Sequence, residues 1–451
     1  MRPIRTIAFS FYFLTIIALA ACTATPTPTL PQNPTASPST AATPLPSATP
    51  ATPATPVSSP TAGASSSVSQ IAAAFVAADN NVYTWIDGNS SFTQITESGD
   101  AQTAVISTDG QLVAYSRTTD GFTYTLDVVA SDGTNHRTIF THDDFLGITR
   151  PSIATDSEPY QFAWVPNSHM LAMTVDYVME GPGLVTAPDL ILFSVDTGTF
   201  QTLLQVNETY QFFYSPNGSK IAIALPDGID LYDSNGNRLL SPKFYSFANV
   251  NTASEVAFLP KIIWSMDSAS FAFTVPPAEP FTDTETLTKV VEINSATGAA
   301  TTLLTASMAF QMPQEISPNL AQIAYLKSDS PNSTEFNLHI ASLDGGPDKV
   351  VAAKTLINDF SWSPDSLHFA YSIPSGMTLR EYLGKIQQTP AQITQVNDAR
   401  GFAWIDTVSY LVLDKTSSGW KIWLGKVGSA PVVVYTDSLT TGTDLSLSVN
   451  R

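Results

Sequence analysis

Trp362-Ser363-Pro364-Asp365-Ser366-Leu367-His368-Phe369-Ala370-Tyr371 is one copy of a phrase that runs through this chain. A segment ends in a bulky residue, a Ser-Pro-Asp turn follows, and a large–Ala–large triplet starts six residues after the first turn residue. Working outward from it, turns begin at Ser107, Val165, Ser215, Ser265, Ser317 and Ser363, with a degenerate copy at Ile405. Their triplets are Val113-Ala114-Tyr115, Leu171-Ala172-Met173, Ile221-Ala222-Ile223, Phe271-Ala272-Phe273, Ile323-Ala324-Tyr325, Phe369-Ala370-Tyr371 and Leu411-Val412-Leu413. The copies lie 42 to 58 residues apart, and a fixed internal register at that spacing means a repeat architecture.

Each part of the phrase has a physical task. Pro166, Pro216, Pro318 and Pro364 preset φ at the second turn position, and the Asp or Asn that follows can bond the backbone two residues on. The segment before the turn ends in an aromatic at Trp164, Tyr214, Trp264, Trp362 and Trp404. In the triplet, strand alternation puts the large side chains on one face and the alanine on the other, where a neighbouring sheet can approach closely.

A second signature follows each triplet: another strand, a turn rich in Asp, Asn and Gly, and a fourth strand. Val195-Asp196-Thr197-Gly198 and Leu343-Asp344-Gly345-Gly346 are examples of the turn. With the strands called a, b, c and d, the unit is a four-stranded antiparallel meander, and a radial stack of such units is a β-propeller. Val82 to Thr96 adds a c–d hairpin ahead of the first turn, so the hairpins number eight. Ile71 to Ala77 reads as a strand b with no strand a, and Asp444 to Val449 as a strand without a unit. The expectation is an all-β propeller over 69–451, with eight blades favoured and the C-terminal strand closing the ring. Seven blades is the alternative if the terminal pieces are irregular.

The Ser-Pro-Asp/Asn turn flanked by Trp and by Ile-Ala-Tyr resembles the TolB-type WD40-like (PD40) propeller repeat, over roughly residues 71 to 449. That resemblance implies the fold and leaves the activity open. The superfamily includes periplasmic binding scaffolds, sensor domains and the propeller half of prolyl-oligopeptidase-like peptidases. The last copy departs most, lacking both the Pro and the turn Asp.

Ahead of the repeats the chain changes character. Arg2 and Arg5 precede an apolar run from Ile7 to Ala18, which is the pattern of a secretory signal over 1–21 and too short for a stable membrane span. Leu19-Ala20-Ala21-Cys22 resembles the bacterial lipoprotein box. The resemblance implies lipidation of Cys22 and an extracytoplasmic location, anchored to a bacterial membrane. An ordinary signal with an incidental cysteine is the alternative. Cys22 is the only cysteine, which excludes internal disulfides and cysteine-ligated metals. Residues 22–68 continue as nearly uncharged Thr, Pro, Ser and Ala, a disordered spacer. Fully extended, it would reach on the order of 140 Å.

Formal net charge is −19, and removing Arg2 and Arg5 with the signal would make it −21. So acidic a surface repels phosphate backbones, so no nucleic-acid partner is expected. No Gly-x-Ser-x-Gly elbow occurs, and no catalytic residue is assigned. His136, His142, His169, His339 and His368 show no metal-ligand spacing, and Asp233-Ser234-Asn235-Gly236-Asn237 reads as a hairpin turn, not a calcium loop. No metal or cofactor is expected.

Loop length is more informative. In a meander blade the d–a and b–c connections open on one face, and the a–b and c–d turns on the other. The long connections are 141–161 and 241–261 (d–a) and 176–188 and 275–287 (b–c), all on the first face. Long loops on a rigid scaffold are where binding residues concentrate. They carry Asp143, Asp144, Phe145, Tyr160, Tyr177, Glu180, Phe244, Tyr245, Phe247, Phe281, Asp283 and Glu285. Aromatics among carboxylates suit glycan stacking or a cationic peptide; the same aromatics could instead pin the loops to the scaffold. Three functions compete: a non-catalytic module binding a protein, peptide or glycan, a polysaccharide hydrolase or lyase working from paired carboxylates, and a structural part of an envelope assembly.

Overall fold

In the computed structural model, every Ser-x-Asp/Asn turn is tied by its own side chains. The Ser363 hydroxyl donates to Asp365 (2.5 Å) and accepts the His368 N–H (2.9 Å), while Asp365 also accepts the Leu367 N–H (2.9 Å). Ser107, Ser215, Ser265 and Ser317 repeat the arrangement. The turn residues are therefore consumed by local structure. The structure describes residues 72–450, apart from 122, 148–153, 180–188, 205–209, 254–255, 282–286, 329, 331–334 and 440–446. The signal peptide, Cys22 and the spacer lie outside the described residues, as do Glu180, Asp283 and Glu285.

The turns connect eight four-stranded antiparallel sheets. Blade 1 takes its strand a from the C-terminus, Leu447–Val449, beside Ala72–Val76, Val82–Ile86 and Thr93–Gln94. Blades 2 to 8 begin with Ala101–Ile106, Ala154–Trp164, Gln211–Tyr214, Ile263–Trp264, Gln314–Ile316, Asp359–Trp362 and Ala399–Trp404 as their strands a. Asn450 locks the closure: its N–H reaches the Ala72 carbonyl (3.1 Å), and its side-chain oxygen accepts the Ala72 N–H (2.7 Å). Eight is the number favoured by the hairpins. Among the described residues one short helix, His142–Gly147, interrupts the all-β pattern.

Eight apolar clusters hold the ring, one between each blade and the next. The alternation of the triplet assigns them. Phe369 and Tyr371 pack against blade 6, while Ala370 packs against blade 8. The indoles add a directional tie. Trp164, Trp264, Trp362 and Trp404 each donate Nε1 to a strand-a carbonyl of the preceding blade, at Val105 (3.1 Å), Phe213 (3.0 Å), Glu315 (2.8 Å) and Ser361 (3.2 Å).

Two sequence expectations need correction. In blade 8 the turn is one residue shorter: the Ile405 N–H meets the Ser409 carbonyl, four residues on, where Ser363 meets His368, five residues on. Trp404 consequently pairs with Tyr410. The triplet is thus Tyr410-Leu411-Val412, and Leu411 fills the alanine's place facing blade 1. A one-residue slip exchanges the two faces of a strand, so the distinction is physical. The second correction concerns the long connections at 141–161 and 176–188. Strands a and b of blade 3 run on as a paired ribbon, Ala154–Trp164 with Met170–Met179, so Tyr160 and Tyr177 sit on strands.

Candidate functional site

The meander topology places every d–a and b–c connection on one face of the disc. On that face the structure sorts the candidate side chains into two groups. Phe145 is fully buried, stacked on Phe140 with ring centroids 5.4 Å apart, and so contributes nothing to a binding surface. Asp144 anchors the same short helix by accepting the Thr141 N–H (2.8 Å) and hydroxyl (2.7 Å). Asp143 beside it is exposed. Phe244, Tyr245 and Phe247 lean on the core between blades 4 and 5, with Tyr245 edge-on to Phe273 at 5.4 Å. Burial pushes the Tyr245 phenol up. Tyr245 is on strand d of blade 4, Tyr245–Ser246, and not in the 241–261 connection the sequence assigned it to, so it packs the sheet seam while its two neighbours pin the loop.

Tyr160 and Phe281 behave differently, being 39% and 62% exposed. Phe281 closes the Pro276-Pro277-Ala278-Glu279-Pro280 segment, in which Pro276 and Pro280 are buried, so a stiff backbone presents the ring. It meets Phe310 edge-on at 5.2 Å, and Phe310 in turn lies 5.6 Å from Phe258. Phe258 and Phe310 belong to successive d–a connections and escaped the sequence reading, since neither connection marks them as neighbours of the loop that carries Phe281. Met377, 94% exposed on the tight b–c hairpin of blade 7, was missed for a related reason: loop length singles out only long connections.

Charged groups on the same face are mostly paired. Lys261 meets Glu315 (2.7 Å), and Arg400 meets Asp398 (2.8 Å). Arg117 grips Asp100 and Asp127, both at 2.8 Å, and His136 joins Asp127 at 3.0 Å. Away from that face, among the short turns, His169 bridges Asp109 and Asp196, and His339 pairs with Asp348. Among the described residues no group of three His, Cys, Asp or Glu is gathered at metal-binding range.

Two carboxylates do stand out. Burial and the nearby charge of Asp359 hold Glu381 well above the usual carboxylate range, and partial desolvation raises the Asp359 carboxyl although the residue as a whole opens to solvent. A glycoside-cleaving pair needs both groups at the substrate, about 5 to 9.5 Å apart. Glu381 is 3% exposed between blades 7 and 8, out of a polysaccharide's reach, so this pair does not form such a site.

The opposite face holds a half-open cavity of about 370 Å³ at the seam of blades 8 and 1. Trp85, Ile405, Asp406, Leu424, Lys426 and Val432 line it. It lies where the shortened blade 8 turn puts Ile405 in place of the usual serine.

No family model matches this chain, and no curated protein does either. Among solved structures it is similar to TolB from Acinetobacter baumannii, at 15% identity and a TM-score of 0.34, with 61% of each chain covered. It is also similar to the β-propeller domain of the Trilobed protease from Pyrococcus furiosus, at 12% identity and a TM-score of 0.47, covering 75% of this chain and 98% of that one. A third is an oligogalacturonate lyase in complex with manganese, at 10% identity and a TM-score of 0.45, covering 70% and 82%. The likeness is one of fold. The chain spans about three fifths of that TolB chain's length.

Proposed function

We propose that this chain is a lipid-anchored, extracytoplasmic β-propeller of TolB-like repeat type that binds a protein, peptide or glycan, without catalysis, through its loop-rich face. The observation that carries the reading is Phe281, exposed on a proline-stiffened loop and backed by Phe310 and Phe258. A large apolar ring held rigid in water before any partner arrives loses little conformational entropy on binding, which is how aromatic anchors concentrate affinity.

The topology adds a direction. Strand b of blade 1 starts at Ala72, and every strand b starts from the short-turn face. A tether entering at Ala72 therefore attaches opposite the loops. With Cys22 as lipid anchor, the attachment would leave the loop-rich face free for a partner.

The test is binding of the full chain to polysaccharides, cell-wall fragments and peptide libraries, combined with crosslinking and co-purification from membranes. Phe281→Ala and Tyr160→Ala should weaken the dominant interaction about tenfold or more, while Met266→Ala on the short-turn face leaves it unchanged. Binding that survives both loop-face changes, or that follows Met266, would overturn the assignment of the face.

A further inference from the structure

Blade 7 carries three oxygen-bearing side chains in one cross-strand row. Asp359 on strand a stands directly opposite Ser372 on strand b, and Ser372 directly opposite Glu381 on strand c. Directly opposed residues of an antiparallel pair project from the same face. With strands about 4.8 Å apart, the outer two α-carbons are roughly 10 Å apart, with the serine between them. Arms of aspartate and glutamate length can both lean over the hydroxyl from that distance.

This face meets blade 8. Ala370 and Leu383, one row away, pack with Trp404, Tyr410 and Val412. Ser372 and Glu381 are each 3% exposed, yet neither side chain makes a hydrogen bond or an ion pair with any described residue. The Asp359 carboxylate accepts only the N–H of its neighbour Phe360 (2.8 Å), and this residue opens to solvent. The nearby cations are engaged elsewhere: Lys261 with Glu315, Arg400 with Asp398, and Arg380 with the Asn397 carbonyl (2.9 Å). Two polar side chains side by side at a nearly closed seam, joined by no protein group, leave hydrogen-bonding and charge capacity open to a ligand.

We propose that the Asp359–Ser372–Glu381 row is a binding site for a hard divalent cation of calcium type. The donor set is oxygen only, with two carboxylates and one hydroxyl, and calcium accepts irregular oxygen geometry completed by water. A proton on Glu381 would remove one charge and let that carboxyl donate within the row; a cation offsets both carboxylates and engages all three side chains. Asp359 provides the path from solvent. Burial first, and the charge of Asp359 second, disfavour the ionised form of Glu381, and a bound cation would offset both.

The experiment is equilibrium dialysis of the chelator-treated full chain in detergent against calcium chloride, followed by thermal melting with calcium or magnesium. One calcium per chain is expected. The melting midpoint should rise by about 4 °C at a concentration on the order of a hundred times the Kd, and less with magnesium. Glu381→Gln keeps the side-chain shape and should abolish uptake. Asp359→Asn, at a solvent-open position, should weaken it without unfolding the protein, and Asp143→Asn should leave it intact. No uptake, or uptake that survives both row variants, overturns the proposal. So does a calcium-blind protein whose midpoint falls as pH rises in the wild type and not in Glu381→Gln, because the row would then hold a proton.

Discussion

Gly384 stands directly across from Phe369, and the phenyl ring occupies the space where a Cβ on Gly384 would lie. Blade 8 repeats the relationship with Gly425 and Tyr410. In both blades a strand-c glycine makes room for the first large residue of the triplet, letting the ring lie flat over the sheet. The Tyr410–Gly425 pair also marks the true phase of the degenerate copy.

Gly384→Ala therefore forces Phe369 off its rotamer or separates the strands. It should cost about 2 to 3 kcal/mol in equilibrium unfolding. Gly147, at the end of the short helix with nothing near its absent Cβ, is the control. Gly147→Ala should change stability by less than about 0.5 kcal/mol. Similar losses at the two positions would remove the steric explanation.

The indole ties give a second test. Trp362→Phe leaves the Glu315 carbonyl without its 2.8 Å donor and should cost about 1 to 2 kcal/mol. Blade 4 has Tyr214 at the equivalent position, with its hydroxyl buried and unpartnered. Tyr214→Phe removes a polar group that gains nothing from burial, so stability should stay within about 0.5 kcal/mol or rise. Chemical denaturation of the two variants decides the matter, and a larger loss at Tyr214 would contradict it.

His169 ties blade 2 to blade 3 through Asp109 (2.9 Å) and Asp196 (3.1 Å). Burial alone would lower its pKa, but its hydrogen bonds to Asp109 and Asp196 outweigh that and raise it. A raised folded value means stabilisation that is complete below the unfolded pKa of about 6.5 and fades as pH climbs through the higher folded one. The melting deficit of His169→Gln relative to wild type should be larger near pH 5.5 than near pH 9. At both pH values Asp109 stays ionised, because Ser107 and His169, working against burial, hold it below the usual range. Equal deficits at the two pH values would show that the charge contributes nothing.

What could be read from the sequence divides along the range of the forces involved. The Ser-Pro-Asp turn was legible because each residue acts within five positions of itself. The ring followed because the alternation in Phe369-Ala370-Tyr371 already assigns one face to each neighbour. Blade 8 was misphased for a definite reason: Tyr410-Leu411-Val412-Leu413 is apolar throughout, with no alanine to show which face is which. The site was harder still. Phe145 and Phe281 both sit in long connections beside acidic residues, and only the packing of Phe140 on one and the buried prolines behind the other separate them. The Asp359–Ser372–Glu381 row depends on cross-strand register over two hairpins, which no local pattern records.

That last contrast between two phenylalanines yields the most discriminating prediction. Phe145→Ala removes a fully buried ring stacked on Phe140, so it should cost about 3 to 5 kcal/mol and lower the melting midpoint. Phe281→Ala removes a ring that is already 62% exposed and touches Phe310 only by an edge, so its stability cost should stay below about 1 kcal/mol. If the loop-rich face is the binding surface, the order reverses in a binding assay at a temperature where both variants are folded. Phe281→Ala then loses affinity, and Phe145→Ala keeps it to the extent that its helix remains docked. A Phe281 variant that melts early and binds normally would make this ring another loop anchor, and the face would lose its strongest claim to a partner.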